Sequence, residues 1–126
     1  MRALVVATAL ALLSASAALG SDSRTSLRIV VRANLNAPAH VATLRCNPSG
    51  GTVSHPADAC RRLLSAGRAI FAPTPPGTAC TQIYGGPQLA LVTGTFAGRR
   101  VWARFSRRDG CEVARWNRVA FLFPSR

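Results

Sequence analysis

Acidic residues are scarce in this chain, and lysine is absent. The 126 residues include four acids and two histidines, and all sixteen basic residues are arginines. A paired-carboxylate mechanism needs two acids that converge on one site, and four scattered acids offer no such pair. The chain also lacks a Gly-x-Ser-x-Gly motif and a phosphate-binding glycine loop followed by lysine. We therefore expect a binding protein and not an enzyme.

An apolar run long enough to cross a membrane is also lacking. Residues 3–13 are apolar, but serine interrupts the run at Ser14, and a membrane-spanning helix needs about 20 apolar residues. A positive start, this run and the small residues up to Gly20 are typical of a signal peptide. We expect cleavage after Gly20, with Ala17 as the alternative. Residues 1–20 would then be a signal peptide, and residues 21–126 one secreted, extracellular domain with no membrane attachment.

Cysteine pairs at metal-ligand spacing are absent as well. The four cysteines are Cys46, Cys60, Cys80 and Cys111. No Cys-x-x-Cys occurs, and His40 and His55 do not stand at ligand spacing from any cysteine, so we expect no metal and no other cofactor. An even number of cysteines in a small exported chain indicates two disulfides. The count allows three pairings, of which we favour Cys46–Cys60 with Cys80–Cys111.

The net charge of +12 would attract a polyanion, whether nucleic acid, an acidic cell-surface polymer or an acidic protein. Three arginine pairs, however, are explained more simply as solvated faces and turns: Arg61-Arg62, Arg99-Arg100 and Arg107-Arg108. No aromatic-basic RNA motif and no helix-turn-helix pattern accompanies them. We therefore expect no specific nucleic-acid partner.

Hydrophobic periodicity predicts a mostly antiparallel α+β domain, because strands follow one another through short turns. The predicted strands are residues 26–33, 41–46, 89–95, 99–106 and 119–123. A helix should begin at Pro56, since proline is favoured in the first helical turn. Its apolar face is predicted to carry Cys60, Leu63, Leu64, Gly67, Ile70 and Phe71. A short second helix is predicted over residues 112–117, and residues 47–51 read as a loop.

The segment 77–87 reads as a loop tied at Cys80 and bounded by glycine and proline. A protease that cleaves extended peptides would accept such a loop as substrate-like. If the loop is already rigid, it binds without the usual cost of ordering. Taken alone, this pattern is weak, because many disulfide-tied loops merely connect strands.

Several motifs together resemble the Streptomyces subtilisin inhibitor family, from about residue 26 to residue 123. They are Leu44-Arg-Cys46-Asn-Pro48, Gly50-Gly51-Thr52, His55-Pro56, Ala59-Cys60-x-x-Leu63, Cys80-Thr-Gln-Ile-Tyr84, Gly98-x-x-Val101 and Val119-Ala-Phe-Leu-Phe123. The resemblance implies a five-stranded antiparallel sheet with two helices packed on one face, and two disulfides in sequential pairing. It also implies a homodimer built on the sheet, and tight competitive inhibition of subtilisin-like serine proteases. We expect the dimer on the sheet face that carries Trp102, because large apolar groups on an open sheet usually seek cover.

In that family the scissile bond follows the second residue after the third cysteine. Transferred to this chain, the resemblance makes Gln82 the P1 residue and Ile83 the P1′ residue. Ala79, Cys80 and Thr81 become P4, P3 and P2, and Tyr84 follows at P2′.

The chain departs from the family pattern at several of these positions. Gln82 replaces the usual methionine, lysine or arginine, Ala79 is small, and Gly85-Gly86 stands where one residue usually precedes proline. Arg107 and Asp109 replace phenylalanine and asparagine, although Asp109 could still support the loop through hydrogen bonds. These departures keep open a second interpretation. The chain would then be a cationic secreted binding module on the same fold, which contacts an acidic partner and does not inhibit.

Overall fold

The structure, a computed structural model, describes residues 24–124. The predicted signal peptide, residues 1–20, lies outside the described residues. Five antiparallel strands form one sheet with the spatial order β3-β2-β1-β4-β5. They are β1 (Thr25–Arg32), β2 (His40–Cys46), β3 (Gly50–Gly51), β4 (Gly86–Phe96) and β5 (Arg99–Arg107). The first strand of the described chain is therefore the central strand of the sheet, and the predicted α+β class is confirmed.

Two α-helices cover one face of this sheet. Helix α1 spans Pro56–Ala66 and helix α2 spans Gly110–Val119, and a 3₁₀ turn follows each of them, at Arg68–Phe71 and Ala120–Leu122. Alternate strand residues and the inner faces of the helices form a single core, which includes Ile29, Leu44, Leu63, Val92, Phe105, Val119 and Leu122. The opposite face of the sheet carries no helix within residues 24–124 and is open to solvent.

The predicted fifth strand over residues 119–123 is wrong. The predicted short helix extends instead from Gly110 to Val119 and continues into the 3₁₀ turn. Val119 and Leu122 are three residues apart, and both are fully buried in these elements. A helical spacing places them on the same face, so their burial does not require the alternating pattern of a strand. The strand that completes the sheet lies in the predicted loop 47–51. Gly50 and Gly51 pair with Arg45 and Leu44 of β2.

Helix α1 begins at Pro56 as predicted, but its predicted apolar face is only partly right. Cys60 and Leu63 are buried, whereas Leu64 is 64% exposed. The helix ends at Ala66 because Gly67 adopts φ +69°, a conformation that favours glycine and ends helices. Ile70 and Phe71 still reach the core, but from the 3₁₀ turn.

Both predicted disulfides are present. Cys46 at the end of β2 bonds to Cys60 of α1, and Cys80 bonds to Cys111 in the first turn of α2. The first bridge fixes α1 to the sheet, and the second fixes a loop to α2. Within residues 24–124 no helix has both the length and the apolar character needed to cross a membrane.

Candidate functional site

An exposed loop joins the 3₁₀ turn at Phe71 to strand β4 and contains every residue of the predicted reactive segment. Ala79, Thr81 and Gln82 are exposed, and Ile83 and Tyr84 are 63% and 67% exposed. Large apolar side chains that find no cover on a soluble domain often mark an interaction site. The stretch 81–84 is exposed at all four residues and is therefore open to a partner.

Covalent fastening comes immediately before the exposed stretch. Cys80 is half-buried, and its disulfide to Cys111 joins the loop to the first turn of α2. The Cα atoms of the two cysteines lie 5.3 Å apart, so the backbone at Cys80 runs close to the helix. The resemblance gives Cys80 the P3 position, which places the covalent anchor two residues before the expected bond.

Backbone hydrogen bonds fasten the loop on both sides of Gln82 and Ile83. The N–H of Gly110 donates to the carbonyl oxygen of Thr81 at 2.9 Å. The N–H of Gly85 donates to the carbonyl oxygen of Arg107 at 2.7 Å. Only residues 82–84 lie between these two anchors. The expected P1–P1′ bond is thus at the centre of a short segment whose ends are held by the body of the protein.

Two glycines make this close approach possible. A Cβ atom on Gly110 would overlap Oγ1 of Thr81, so the first turn of α2 and the loop touch without a side chain between them. A Cβ atom on Gly85 would lie 2.6 Å from Cγ2 of Val113 and 3.1 Å from Cβ of Arg107. Larger residues at either position would push the loop away from its supports.

Asp109, expected to support the loop, is the N-cap of helix α2. One of its carboxylate oxygens, Oδ1, accepts a hydrogen bond from the N–H of Glu112 at 3.0 Å, the usual role of an N-cap aspartate. Arg108 forms an ion pair with the other carboxylate oxygen, at 3.6 Å. Its support is therefore indirect: it fixes the start of the helix whose Gly110 N–H holds Thr81.

Arg107, the other departure before the last cysteine, supports the loop through its backbone. Its carbonyl oxygen is the acceptor for Gly85, while its side chain is half-buried. The guanidinium lies 6.0 Å from the ring centroid of Trp116, and Nη1 lies 3.5 Å from Oε1 of Gln88. The arginine side chain thus packs beneath the junction of the loop and β4.

The start of the loop is held by a buried ion pair that the sequence did not reveal. Nη1 of Arg115 lies 2.8 Å from Oε2 of Glu112, both in α2. Arg115 Nε donates to the carbonyl oxygen of Ala72 at 2.9 Å, and the hydroxyl of Thr74 donates to Oε1 of Glu112 at 3.0 Å. The spacing of three residues on a helix was the available signal, but spacing alone does not distinguish a buried pair from an exposed one.

One cluster in the described chain has the residue types of a metal site. Single ligand atoms of Cys80, Asp109 and Cys111 lie within 4.8 Å of one another. Both sulfurs are already joined in the disulfide, and a metal-binding cysteine must be a thiolate. The Asp109 carboxylate is engaged in capping α2. The cluster is therefore part of the loop support.

The family model described as subtilisin inhibitor-like matches residues 23–107. The chain belongs to the subtilisin inhibitor-like family. The match includes all five strands and residues 79–84, and it ends before Gly110 and Cys111. Among the curated proteins, none matches the chain.

The fold is shared with a solved member of this group of inhibitors. Streptomyces caespitosus sermetstatin, in its crystal complex with Bacillus licheniformis subtilisin, is 21% identical to this chain. The alignment covers 76% of this chain and 96% of that one, with a TM-score of 0.51. The likeness establishes the fold of this subtilisin inhibitor-like domain. The family and the fold are those of protease inhibitors, and the roles of individual loop residues remain predictions.

Proposed function

We propose that this subtilisin inhibitor-like protein inhibits subtilisin-type serine endopeptidases, with Gln82–Ile83 as the reactive bond. One observation carries the proposal. Residues 82–84 are exposed, while Thr81 and Gly85 on either side are hydrogen-bonded to the body of the protein. A protease can therefore reach the bond, but the chain on each side of it is already ordered.

Ordering before binding accounts for tight association. A flexible peptide loses conformational freedom when a protease extends it, and this loss weakens binding. Here the Cys80–Cys111 disulfide and the two backbone hydrogen bonds impose that loss during folding. A smaller part of the free energy gained by contact with the enzyme is then offset by ordering of the loop, so the affinity is higher.

The same anchors slow net hydrolysis. In the proposed reaction the enzyme's serine Oγ attacks the carbonyl carbon of Gln82, and the peptide nitrogen of Ile83 leaves with a proton. The new amino terminus is held near the acyl group, because Gly85 stays bonded to the carbonyl of Arg107. The amine can then attack the acyl carbon and displace the serine oxygen, which restores the peptide bond before water enters.

The neutral side chain of Gln82 sets the expected selectivity. It carries no charge for an acidic trypsin-like pocket, and its amide must be desolvated in an apolar pocket, which costs free energy. Ala79 at the P4 position offers little apolar surface to a subtilisin. We therefore expect the chain to inhibit subtilisin-like enzymes, with moderate selectivity at P1, and not trypsin-like enzymes.

A titration with mapping of the cleavage site tests the proposal. A fixed amount of subtilisin is mixed with increasing amounts of purified residues 21–126. The enzyme's activity should fall to zero near one reactive site per enzyme molecule, and the inhibition should be competitive with substrate. Prolonged incubation with a catalytic amount of subtilisin, followed by reduction and mass analysis, should reveal a single cut between Gln82 and Ile83. Unchanged activity at excess protein, or rapid cutting at many sites, would contradict the proposal.

Secretion and homodimerisation belong to the same proposal. The signal-like residues 1–20 support export, and two disulfides suit an oxidising compartment. The homodimer on the sheet face of Trp102 is supported by the family resemblance and by the 62% exposure of that side chain. Inhibition itself requires one loop per enzyme and does not depend on a dimer.

A cationic binding module that does not inhibit is the second candidate. Gln82 at P1, the departure at Gly85-Gly86 and the net charge of +12 favour it. The subtilisin titration distinguishes the two, because only an inhibitor lowers the enzyme's activity with saturable stoichiometry.

A further inference from the structure

The two ends of the exposed segment 82–84 are fastened by different means. Before Gln82, the Cys80–Cys111 disulfide ties the chain covalently to α2. After Ile83, the described chain has no such bridge to the loop, and packing and hydrogen bonds alone hold it. A cut between Gln82 and Ile83 would therefore leave the acyl end two residues from a covalent anchor and the new amino end held only by non-covalent contacts.

Gly85 is the first fixed residue on the amine side of that bond. Its N–H donates to the carbonyl oxygen of Arg107 at 2.7 Å. Side chains from two different elements also pack closely against this glycine. A Cβ atom added to it would lie 2.6 Å from Cγ2 of Val113 in α2 and 3.1 Å from Cβ of Arg107 in β5. The backbone of Gly85 is thus held by both the helix and the strand.

Strand β4 is irregular where it follows this glycine. Gly86 pairs with Arg107 of β5. The next pair is Leu89 with Ser106, so two residues of β4, the second of them Gln88, have no register partner on β5. Irregularities of this kind re-aim a side chain and are common beside functional sites. Here the side chain of Gln88 folds back onto Gly86, since a Cβ atom on that glycine would overlap Oε1 of Gln88.

The side chain of Arg107 connects these contacts to the core. Its Nη1 donates a long hydrogen bond of 3.5 Å to Oε1 of Gln88, and its guanidinium lies 6.0 Å from the ring centroid of Trp116. Trp116 in turn packs edge-on against Phe123, with ring centroids 4.5 Å apart. An arginine stem can cover apolar surface while its head reaches a polar partner. Gln88, Arg107 and Val113 together form what we call the amine-side clamp.

The amine-side clamp sets how far a new amino terminus could move. With Gly85 held, only residues 83–84 would be free, and two residues reach about 7 Å at most. Without the clamp, regular pairing would begin at Leu89, and residues 83–88 would be free. The effective concentration of a tethered group falls roughly as the −3/2 power of the tether length. Tripling the free segment should therefore lower the effective concentration of the amine about fivefold.

We propose that Gln88, Arg107 and Val113 are positioning residues, which keep the amine of Ile83 beside the acyl group after a subtilisin has cut the loop. The inference rests on the proposed function and adds side chains to the backbone bond of Gly85. In the step concerned, the nitrogen of Ile83 forms a bond to the acyl carbon, and the ester bond to the enzyme's serine Oγ breaks. The proton of the amine passes to that oxygen through the enzyme's histidine.

The amine-side clamp acts on the balance between cut and intact protein more than on the first encounter with the enzyme. A looser amine end gains conformational freedom mainly in the cut protein, because in the intact protein the loop is still tied at both ends. The ratio of cut to intact protein at equilibrium should then rise. The contacts that residues 79–84 make with the enzyme before cutting should change less.

The test measures the ratio of cut to intact protein at equilibrium. Residues 21–126 are incubated with a catalytic amount of subtilisin, starting once from intact and once from cut protein, and both forms are quantified by mass after reduction. Arg107→Ala keeps the backbone acceptor of Gly85 but removes the side chain, so the ratio should rise about fivefold. Gln88→Leu and Val113→Ala should raise it in the same direction. The inhibition constant from initial rates should change less than the ratio does.

A conservative variant and a control separate positioning from general stability. Gln88→Glu keeps an oxygen acceptor for the Arg107 guanidinium and strengthens the contact by its charge, so its ratio should equal the parent's or fall below it. Arg99→Ala removes an exposed arginine at the opposite end of β5 and should leave the ratio unchanged. A uniform loss of stability acts equally on the cut and intact forms and does not move their ratio.

Three results would overturn the proposal, and they separate it from the proposed function. A parental ratio in Arg107→Ala and Gln88→Leu, with the single cut still between Gln82 and Ile83, would remove the clamp and leave the inhibitor standing. An equal rise in Arg99→Ala would assign the effect to general loosening of the domain. No binding of subtilisin, or cutting at other bonds in the parent, would remove the proposed function and the clamp together.

Discussion

Nη1 of Arg115 lies 2.8 Å from Oε2 of Glu112, and the two side chains are only 7% and 11% exposed. The pair is the one described ion pair that is almost completely buried. It also holds the backbone of Ala72 and the hydroxyl of Thr74, where the candidate reactive loop leaves the core. Arg115 further packs over the ring of Phe105, 4.7 Å from its centroid. Core, helix α2 and loop therefore meet at this pair.

Removal of Arg115 alone should be strongly destabilising. Arg115→Met leaves the buried Glu112 carboxylate without its partner, and we expect a loss of about 3–5 kcal/mol in the free energy of unfolding. The double variant Arg115→Met/Glu112→Leu should lose less, because no charge stays buried. Urea unfolding measures both. Arg118→Met, on an exposed position of α2, is the control and should stay within about 0.5 kcal/mol of the parent.

Loss of the Cys80–Cys111 disulfide should turn the inhibitor into a substrate. In Cys80→Ser/Cys111→Ser the covalent anchor before Gln82 is gone, so subtilisin should cut the loop and regain activity with time. Loss of the other bridge in Cys46→Ser/Cys60→Ser should leave inhibition intact in the folded protein. From the lengths of the closed loops, removal of the Cys80–Cys111 bridge should lower the free energy of unfolding by about 4 kcal/mol, and removal of the Cys46–Cys60 bridge by about 3 kcal/mol. If the second pair also became a substrate, general instability would explain the first result.

A methyl group on Gly110 should displace the loop without unfolding the domain. In Gly110→Ala the new Cβ atom overlaps Oγ1 of Thr81, so the Thr81–Gly110 hydrogen bond should lengthen or break. We expect inhibition to weaken about tenfold, since one hydrogen bond contributes roughly 1 kcal/mol and loop ordering adds to it. Thr81→Ala removes the overlapping oxygen. The loss of binding free energy in the double variant should therefore be smaller than the sum of the losses in the two single variants. A double-mutant cycle measures this difference.

The side chain at position 82 should control which enzyme is inhibited. Gln82→Met should strengthen binding to subtilisin by about 1–2 kcal/mol, because methionine buries more apolar surface and no amide is desolvated. Gln82→Arg should create inhibition of trypsin by supplying the charge its acidic pocket requires. Ile83→Pro should abolish both, because the loop could not stay extended across the bond. Inhibition constants for all three that equal the parent's would remove Gln82–Ile83 as the reactive bond.

The strands that the sequence predicted correctly are those with clear alternation. Leu27 and Ile29 in β1, or Ala103 and Phe105 in β5, are separated by polar or exposed residues, and all four are buried. Val119-Ala-Phe-Leu-Phe123 is continuously apolar, and such a run fits a buried helix end as well as a strand. The true fifth strand is two glycines with no side chains to alternate. Its pairing with Leu44 and Arg45 depends on tertiary contact alone.

The candidate site was predictable where covalent chemistry or exposure defines it. Cys80 and the exposed residues 81–84 follow from the cysteine pattern and the resemblance. The supports do not, because they are backbone atoms of Gly110 and Arg107 that any residue could in principle supply. The roles of Asp109 and Glu112 depend on where α2 begins. Sequence periodicity locates that boundary only within a few residues.

The order of strands has a consequence for how the domain acquires its structure. Leu27 of the central strand pairs with the nearby Leu44 on one side and with the distant Gly94 on the other. When the chain is made from its amino terminus, the β1–β2 hairpin can form early, but one edge of β1 waits for β4. The core closes only after β5 and α2 have followed. Contacts between such distant residues slow folding to milliseconds or longer. The domain therefore stays incompletely folded until its last elements have been made.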